Sequence, residues 1–261
     1  MAELNKIVIL GAGNVATHLS KAFAGSGFQI LQIYNRSIEP AKKLAKTTGS
    51  DFTDKIENIT DEADLYVIAT SDNAIEEIAM NLNKFQSMVV HTSGSVSMDI
   101  LKPASPRTGV FYPLQTFSKK RKVNYKTVPL CLEASTESDL MLLKKLADSI
   151  SQNVYAVDSG KRMVLHMAAV FACNFTNFLY DIAGTMVHEV GLDFDILRPL
   201  IRETAEKVMK MEPSEAQTGP AKRNDEIIMH QHISLLEENE ILSLLYEFMS
   251  NEISKLHHGS V

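Results

Sequence analysis

His166 and Asn174 are polar side chains within an apolar helical pattern that extends from residue 163 to residue 190, and their types could serve proton transfer to a bound substrate. His166, Val170 and Asn174 follow one another at intervals of four residues, which in a regular α-helix places them along one face. Histidine has a reference pKa near 6.5 and could donate a proton to a forming alkoxide or amine at neutral pH, while Asn174 could orient a substrate. The alternative is a core histidine that is hydrogen-bonded to a buried amide.

Polar residues also follow two apolar runs, 64–70 and 88–92, that we interpret as parallel strands. Open α/β sheets bind ligands beyond the carboxyl ends of their strands, so hydroxyl groups there could donate hydrogen bonds to a ligand. Gly94 could let a ligand approach the backbone closely. Ordinary polar turns between strands and helices are the alternative. The residues expected at this edge are Thr70, Ser71, His91, Thr92, Ser93 and Gly94, with His91 and Ser93 as catalytic candidates.

The loop 218–225 leads into the last long helical stretch and carries two charged candidates for substrate binding. Arg223 could bind a substrate carboxylate through two parallel hydrogen bonds. Asp225 could orient Arg223 or His230, and its position near a helix start also suits a capping carboxylate. Plain helix capping is therefore the alternative reading of Asp225.

A glycine-rich turn lies between the apolar strand Lys6–Leu10 and a helix that extends to about Ala24. In this GxGxxA pattern the first glycine allows a tight turn, the second lets the backbone approach a pyrophosphate, and the alanine permits close packing of helix on strand. The helix start adds free N–H groups and the positive end of the helix dipole. The candidate cofactor contacts in this turn are Gly11, Ala12, Gly13, Asn14 and Val15.

The end of the second strand, Gln29–Tyr34, distinguishes between nicotinamide cofactors. An acidic residue there would accept hydrogen bonds from the ribose hydroxyls of NAD, but this chain has Asn35. Arg36 and Ser37 follow, and a guanidinium with a hydroxyl can bind a 2′-phosphate. The sequence therefore predicts NADP(H) as the cofactor. A solvated surface role for Arg36 is the alternative.

Strands and helices alternate through the first half of the chain, as in an α/β protein with a mostly parallel, doubly wound sheet. Further strands are predicted at 128–132 and 154–157, whereas 102–126 contains three prolines and is interpreted as a loop-rich connector. After Gly160 the pattern is helical over 163–190, 196–211 and 227–253. We therefore predict a Rossmann NADP-binding domain at 1–159 and an all-helical substrate and dimerisation domain at 160–261.

Composition excludes several classes of protein. The 261 residues are 45% hydrophobic and 22% charged with a net charge of −6, which argues against a general nucleic-acid binder. We find no run of about 18 apolar residues and no leader before the first strand, so neither a membrane span nor secretion is expected and a cytoplasmic location is predicted. The basic run 119–122 is interpreted as a solvated loop, with phosphate binding as the alternative.

Metal and disulfide sites are not expected. Cys131 and Cys173 each lie in an apolar stretch and are predicted to be reduced core residues. His188-Glu189 begins a zincin-like pattern, but Leu192 stands where the second histidine would be. His230 and His232 are two residues apart, which on a helix points their side chains in different directions.

Several segments together resemble a bacterial family of Rossmann-type oxidoreductases, whose members combine an NADP-oxidoreductase-like domain with a helical domain of unknown function. The chain is more distantly similar to pyrroline-5-carboxylate reductases, ketopantoate reductases, prephenate dehydrogenases and 6-phosphogluconate-type dehydrogenases. The resemblance covers nearly the whole chain. It is carried by residues 11–16, His91–Ser95, Pro113–Phe117, His166–Asn174, and Thr218–Pro220 with Arg223 and Asp225.

The resemblance implies an NADP(H)-dependent oxidoreductase that moves a hydride to or from a small carbonyl or imine compound bound between the two domains. It also implies a homodimer formed through the helical domain, an expectation that the apolar helices after Gly160 support. Ketopantoate reductase-like enzymes carry a lysine and asparagines at comparable helical spacing, and His166 departs from that pattern by taking the position of the lysine. The alternative function is a non-enzymatic NADP(H)-binding regulator that senses redox state.

Overall fold

The computed structural model describes residues 4–83 and 85–259. The strands of the amino-terminal part of the chain form one sheet. The strands in the described part of the chain are β1 (Lys6–Leu10), β2 (Gln29–Tyr34), β3 (Asp51–Thr53), β4 (Leu65–Ile68), β5 (Met88–His91), β6 (Thr108–Pro113), β7 (Leu130–Ala134) and β8 (Val154–Ala156). Their order across the sheet is β3-β2-β1-β4-β5-β6-β7-β8. Neighbouring strands are parallel except β6 and β7.

Helices cover both faces of this sheet. They are α1 (Asn14–Gly25), α2 (Ile38–Thr48), α3 (Ile75–Asn81) and α4 (Glu137–Ile150). Because side chains alternate along a strand, β1 contributes Ile7 and Ile9 to the core shared with α1, α2 and α4. Val8 and Leu10 point the other way, into the core shared with α3. Burial on both faces makes this a doubly wound Rossmann sheet, which confirms the predicted fold class.

The interpretation of 102–126 as a loop-rich connector is wrong, because this stretch contains β6. Strand β6 pairs in parallel with β5 and antiparallel with β7. All six of its residues are buried, so the polar and apolar alternation that marks a half-exposed strand is absent. Pro113 is its last residue, a position where the missing N–H is tolerated.

A long helical segment begins where the sheet ends. Helix α5 (Ser159–Ala169) continues through a π-helical segment, Val170–Phe175, into α6 (Thr176–Glu189). In a π-helix each hydrogen bond spans five residues instead of four, so residues at intervals of four no longer share one face. The predicted row of His166, Val170 and Asn174 therefore does not extend regularly to Asn174, which lies inside the π segment.

The remaining helices are α7 (Arg198–Val208), α8 (Pro213–Ala216), α9 (Pro220–Arg223), α10 (Glu226–Leu235) and α11 (Glu240–His258). The segment 227–253, predicted as one continuous helix, contains two helices, because α10 ends at Leu235 and α11 begins at Glu240. The Asn239 side chain caps the N-terminus of α11 by accepting a hydrogen bond from the Leu242 N–H at 3.1 Å.

The chain divides into two compact units, 1–178 and 179–261, and the division falls within α6. The domains predicted from the sequence, 1–159 and 160–261, instead meet after the first residue of α5. A division by packing and a division by function need not coincide, since α5 can pack with the sheet and still carry substrate-binding side chains. The functional division stays a proposal.

The segment Ser159–Glu189 presents a large apolar surface. It contains an 18-residue window of mean hydropathy 1.3 with no residue buried, so by length and composition alone it could cross a membrane. The segment is not an unbroken run of about 18 apolar residues, because polar residues such as His166, Asn174 and Asp181 interrupt it, and one such helix is weak evidence for a membrane span. Its exposed apolar side chains are Met163, Val164, Met167, Phe171, Phe175, Phe178 and Met186. We refer to these seven residues as the apolar helix surface.

Candidate functional site

The glycine-rich turn after β1 has the geometry that its sequence predicts. Gly11 adopts φ 128°, and a Cβ there would lie 2.2 Å from the carbonyl oxygen of Ala69, so only glycine fits. Gly13 precedes the first turn of α1 and has no atom within 4 Å of where its Cβ would be. The backbone at Gly13 is therefore open to a close approach by a ligand.

A cavity of about 420 Å³ lies against this turn. Nine of the predicted cofactor contacts line it: Gly11, Ala12, Gly13, Asn14, Val15, Asn35, Arg36, Thr70 and Ser71. Ser37 and Thr92 are not part of its wall. Ser37 occupies the N-cap position of α2, and Thr92 is buried, with its hydroxyl 3.4 Å from the Ile68 carbonyl oxygen.

Asn35 connects the glycine-rich turn to the turn that follows β2. Its Oδ1 accepts a hydrogen bond from the Ala12 N–H at 3.2 Å, and its Nδ2 donates to the Ser37 carbonyl oxygen at 2.9 Å. The neighbouring Arg36 is exposed and makes no ion pair or hydrogen bond within the described residues. The Asn35 side chain thus fixes the backbone of the turn from which the exposed Arg36 guanidinium extends at the rim of the cavity.

Lys119, from the basic run, also reaches the glycine-rich turn. Its Nζ donates a hydrogen bond to the Ala12 carbonyl oxygen at 2.7 Å. The interpretation of the whole run as a solvated loop is therefore wrong for Lys119, which is tied to the turn. This contact braces the backbone on which the predicted pyrophosphate site depends.

The residues around the cavity fit a dinucleotide with a 2′-phosphate. The turn is shaped by glycine at Gly11, the start of α1 offers unpaired N–H groups, and the space beside Gly13 is open. The Arg36 guanidinium and the Ser37 hydroxyl at the N-terminus of α2 provide donors suited to a second phosphate. No carboxylate stands at position 35, where an NAD-specific site would have one.

His91 and Ser93, two of the predicted catalytic residues, are used inside the protein. His91 has no exposed surface, and its Nδ1 accepts a hydrogen bond from the Ser93 N–H at 3.1 Å. Burial, with a smaller effect from the charge of Arg162, lowers the pKa of His91 to about 4, so the ring is neutral near pH 7. The Ser93 hydroxyl accepts hydrogen bonds from the Ser95 and Val96 N–H groups. This geometry favours positioning of the turn over contact with a substrate.

Gly94 lies against a pair of rings at the same turn. The Tyr112 hydroxyl is 3.0 Å from Nδ1 of His166, and the two rings meet edge to face at 6.0 Å between centroids. A Cβ at Gly94 would lie 2.7 Å from His166 Nδ1 and 2.8 Å from Tyr112 Cζ. Gly94 and His166, two of the residues predicted from the sequence, are therefore in contact in the structure. Tyr112, which was not predicted, contacts both.

Arg162 fastens helix α5 to the sheet one turn before His166. It is fully buried; its Nη1 donates to Glu133 Oε2 on β7 at 2.5 Å, and its Nη2 donates to the Val96 carbonyl oxygen at 2.5 Å. Ser159 at the start of the helix also donates to Glu133 Oε2 at 2.7 Å. Because residues four apart share a helix face, this anchor sets the position of His166 over the turn at Gly94.

The other predicted substrate contacts lie elsewhere in the chain. Asn174 is exposed within the π segment. Arg223 and Asp225 belong to the unit 179–261, where Arg223 Nη2 is 3.9 Å from Asp225 Oδ2. Asp225 also caps α10 by accepting a hydrogen bond from the Ile228 N–H at 3.3 Å. Substrate roles for these three residues stay predictions.

Neither histidine of the pair at 230 and 232 contributes to a metal cluster. His230 Nδ1 contacts the Glu226 carbonyl oxygen and His232 Nδ1 contacts the Tyr246 hydroxyl, at 2.7 and 2.8 Å. Across the described residues we find no group of three or more potential metal ligands. Cys131 is buried as expected, but Cys173 is exposed, so its prediction as a core residue is wrong.

Three residues of this site were missed from the sequence: Tyr112, Arg162 and Glu133. Tyr112 and Glu133 lie on adjacent strands, and Tyr112 was lost with the unrecognised β6. The sequence did contain a signal for Arg162. It is a cation in an apolar helical pattern, one turn before a candidate catalytic histidine, and a cation that is buried there needs a partner of opposite charge.

A parallel sheet with a glycine-rich turn at the carboxyl end of its first strand defines a dinucleotide-binding Rossmann protein. Comparisons with known proteins agree. The family model described as shikimate/quinate 5-dehydrogenase matches residues 2–108, and a domain of unknown function, DUF2520, matches residues 128–253. A curated L-aspartate dehydrogenase from Methanococcus maripaludis is 30% identical over 95 residues, 34% of this chain and 36% of that protein. The match thus spans about a third of this curated relative.

Two solved structures match over nearly the full length. A Bacteroides fragilis protein assigned as an NADP oxidoreductase is 41% identical with a TM-score of 0.91, covering 96% of this chain and 98% of that one. An imine reductase from Myxococcus stipitatus, solved with NADP+, is 16% identical with a TM-score of 0.64, covering 97% of this chain and 96% of that one, and shows the fold alone. The chain belongs to the family of Rossmann-type oxidoreductases that includes the Bacteroides fragilis protein, which confirms the resemblance seen in the sequence.

Proposed function

We propose that this oxidoreductase uses NADP(H) to reduce, or to form by oxidation, a small carbonyl or imine compound. One observation carries the proposal. The cavity at the glycine-rich turn and the Gly94–Tyr112–His166 cluster follow the carboxyl ends of β1, β4, β5 and β6, which are parallel neighbours in one sheet. Open α/β sheets bind and convert their ligands at this edge.

Residues that line the cavity, together with Ser37 next to it, bind different parts of the cofactor. The N–H groups at the start of α1 bind the pyrophosphate, and Arg36 with Ser37 binds the 2′-phosphate. When bound, NADPH supplies a hydride to the substrate carbon. Asn35 and Lys119 hold the turn that carries these contacts, through their hydrogen bonds to Ala12.

His166 provides the proton that must accompany the hydride. It is half-buried beside Gly94 and is held there by the Arg162 anchor and by Tyr112. General acid catalysis by a positioned histidine typically contributes about 10²- to 10⁴-fold to a rate. The fold shared with an imine reductase supports a C=N or C=O group as the hydride acceptor.

The apolar helix surface supports a homodimer as the working form. Seven large apolar side chains are exposed along one helical segment, and an apolar patch of this kind on a soluble protein marks an interaction site. A second copy of the chain presents the same helix, so two-fold pairing would cover both surfaces at once. The segment also carries His166 and Asp181, which suits a protein interface better than lipid.

The function is tested by incubating the protein with NADPH labelled with deuterium at the nicotinamide C4 and a panel of small ketones, aldehydes and cyclic imines. Mass spectrometry that finds deuterium on the former carbonyl or imine carbon of a product supports the proposal. Tight NADPH binding with no labelled product across the panel would point instead to a redox-sensing regulator.

A further inference from the structure

We propose that Tyr112 fixes the neutral ring of His166 in the tautomer that carries its proton on Nε2, so that His166 presents a hydrogen-bond donor to the substrate. The reacting group that pairs with such a donor is an acceptor, namely a carbonyl oxygen or a neutral imine nitrogen. A protonated iminium, which is itself a donor, does not pair with it. This inference rests on the proposed function and names the substrate class for the same site.

The direction of the hydrogen bond follows from what the tyrosine hydroxyl can reach. Tyr112 is 8% exposed, and His166 Nδ1 at 3.0 Å is its sole hydrogen-bond partner among residues 4–83 and 85–259. If Nδ1 carried the proton and donated it to the hydroxyl, the phenolic proton would have no protein acceptor. A nearly buried donor without an acceptor is unfavourable, so the phenol donates and Nδ1 accepts.

Between turnovers the phenol of Tyr112 keeps its proton throughout the physiological pH range. Burial raises the pKa of Tyr112 to about 12. Of the groups that face it, Cys131 and Asp72 also raise this pKa, whereas the charge of Arg162 lowers it. Tyr112 therefore stays a donor toward Nδ1 at any pH at which the protein is expected to work.

Gly94 provides the space in which the two rings meet. A Cβ at this position would lie 2.7 Å from His166 Nδ1 and 2.8 Å from Tyr112 Cζ, closer than unbonded atoms can approach. The other ring nitrogen, Nε2, makes no hydrogen bond to any described residue and is not enclosed. Tyr112 thus occupies one nitrogen of the ring and leaves the other for a ligand.

The Tyr112–His166 pair also supplies the proton that the substrate takes up during a reduction. As a hydride adds to the carbonyl carbon, the π electrons of the C=O bond move to oxygen, which takes the proton from Nε2. In the same step Nδ1 takes the phenolic proton of Tyr112, so no imidazolate forms, the ring is neutral before and after, and the phenolate exists only until it is reprotonated. Solvent water returns a proton to the phenolate. For a neutral imine the nitrogen takes the place of the oxygen.

Nitrogen-15 NMR of histidine-labelled protein tests the tautomer directly, at a pH where the His166 ring is neutral. The His166 signals are assigned by their loss in His166→Gln. In the unmodified protein we expect Nε2 to carry the proton and Nδ1 to give the shift of an unprotonated nitrogen. In Tyr112→Phe we expect the ratio of the two tautomers to change by about tenfold. A proton on Nδ1 in the unmodified protein would overturn the proposal.

Two further variants separate this effect from loss of structure. Tyr125→Phe is a matched control, because Tyr125 is also buried but its hydroxyl has no hydrogen-bond partner in the described part of the chain, so the His166 tautomer should be unchanged. Gly94→Ala keeps both rings but pushes them apart, so its tautomer ratio should move as in Tyr112→Phe. A tautomer ratio that stays the same in both Tyr112→Phe and Gly94→Ala contradicts the proposal.

The substrate preference supplies an independent readout. The unmodified protein should reduce ketones or neutral imines at higher kcat/KM than permanently charged N-alkyl iminium ions of similar shape, and Tyr112→Phe should narrow that ratio about tenfold. If the ratio of the two kcat/KM values is the same in Tyr112→Phe as in the unmodified protein, then Tyr112 does not make His166 select substrates with a hydrogen-bond acceptor. Absence of any NADPH turnover would overturn the proposed function, whereas the NMR result would still decide the tautomer.

Discussion

Asn35 and Ala12 are joined by a hydrogen bond of 3.2 Å from the Ala12 N–H to Asn35 Oδ1, so the turn after β2 and the glycine-rich turn hold each other. An aspartate at position 35 would keep this acceptor, lose the hydrogen bond from Nδ2 to the Ser37 carbonyl oxygen, and add a negative charge where the 2′-phosphate is expected. We predict that Asn35→Asp lowers the affinity for NADP about tenfold or more and changes the affinity for NAD by less than about threefold.

Calorimetric titration with both cofactors measures this change. Asn153→Asp is the control, because it adds the same charge at a residue that does not line the cavity. Equal weakening of NADP and NAD in Asn35→Asp would mean that the substitution damages the turn and does not act on the 2′-phosphate.

The Arg162 anchor should dominate the stability of the helix-to-sheet contact. Arg162→Met fills a similar volume but leaves the Glu133 carboxylate, 17% exposed, without its cation. We expect the free energy of unfolding to decrease by about 3–5 kcal/mol, with part of the loss restored when Glu133→Gln is added. Urea denaturation provides the measurement.

The matched control is Arg198→Met. Arg198 pairs with Asp195, but both side chains are about two-thirds or more exposed, so removal should cost less than about 1 kcal/mol. Similar losses for the two arginine variants would show that burial of Arg162 does not strengthen its contribution.

His91 should make the protein less stable in mild acid. Burial holds its pKa at about 4, below the value of 6.5 expected in the unfolded chain. Between these values the unfolded chain binds a proton that the native protein does not, so the free energy of unfolding decreases as the pH is lowered from 6.5 to 4. The full effect of this group is about 3 kcal/mol, and it is absent above pH 6.5.

Unfolding curves of the unmodified protein and of His91→Asn across this range measure the contribution. The asparagine side chain can still accept the Ser93 N–H but does not titrate there. We expect a shallower dependence on pH in the variant, and identical slopes would show that His91 is not responsible.

The apolar helix surface predicts a dimer at micromolar concentration, measured by light scattering. Phe171 and Phe178 are 63% and 58% exposed, and the double substitution Phe171→Glu with Phe178→Glu should give a monomer. Met80→Glu is the control, since Met80 is 53% exposed but lies on α3, outside this surface. A monomeric unmodified protein, or partition into lipid vesicles in place of dimer formation, would contradict the assignment.

Local patterns in the sequence were enough to predict the cofactor side of the site. The tight turn at Gly11 and the residues that follow β2 are close in sequence to the strands that position them, so nine of the predicted contacts line one cavity. Strand β6 was missed because its short apolar run, 110–112, lies between Gly109 and Pro113, which are residue types typical of turns. Its loss removed Tyr112 from consideration.

The proposed substrate side depends on contacts between residues far apart in the chain. Arg162 pairs with Glu133 and His166 with Tyr112. The apolar surroundings of Arg162 indicate that it needs a partner, but nothing local identifies Glu133 or Tyr112 as the partners. The π-helical segment at Val170–Phe175 likewise breaks the regular spacing on which the position of Asn174 was predicted. Buried polar partners and helix irregularities therefore limited the prediction more than the choice of fold did.

Arg36 is expected to serve cofactor binding and His166 to serve proton transfer within one NADP(H)-dependent reductase. The most direct measurement compares kcat for a substrate found in the deuterium-transfer panel, and Kd for NADPH, in Arg36→Ala and His166→Ala. We predict that Arg36→Ala weakens NADPH binding with little change in kcat, whereas His166→Ala lowers kcat by about 10²- to 10⁴-fold and leaves the Kd for NADPH nearly unchanged. Full turnover in His166→Ala, or a loss confined to its melting temperature, would contradict the account.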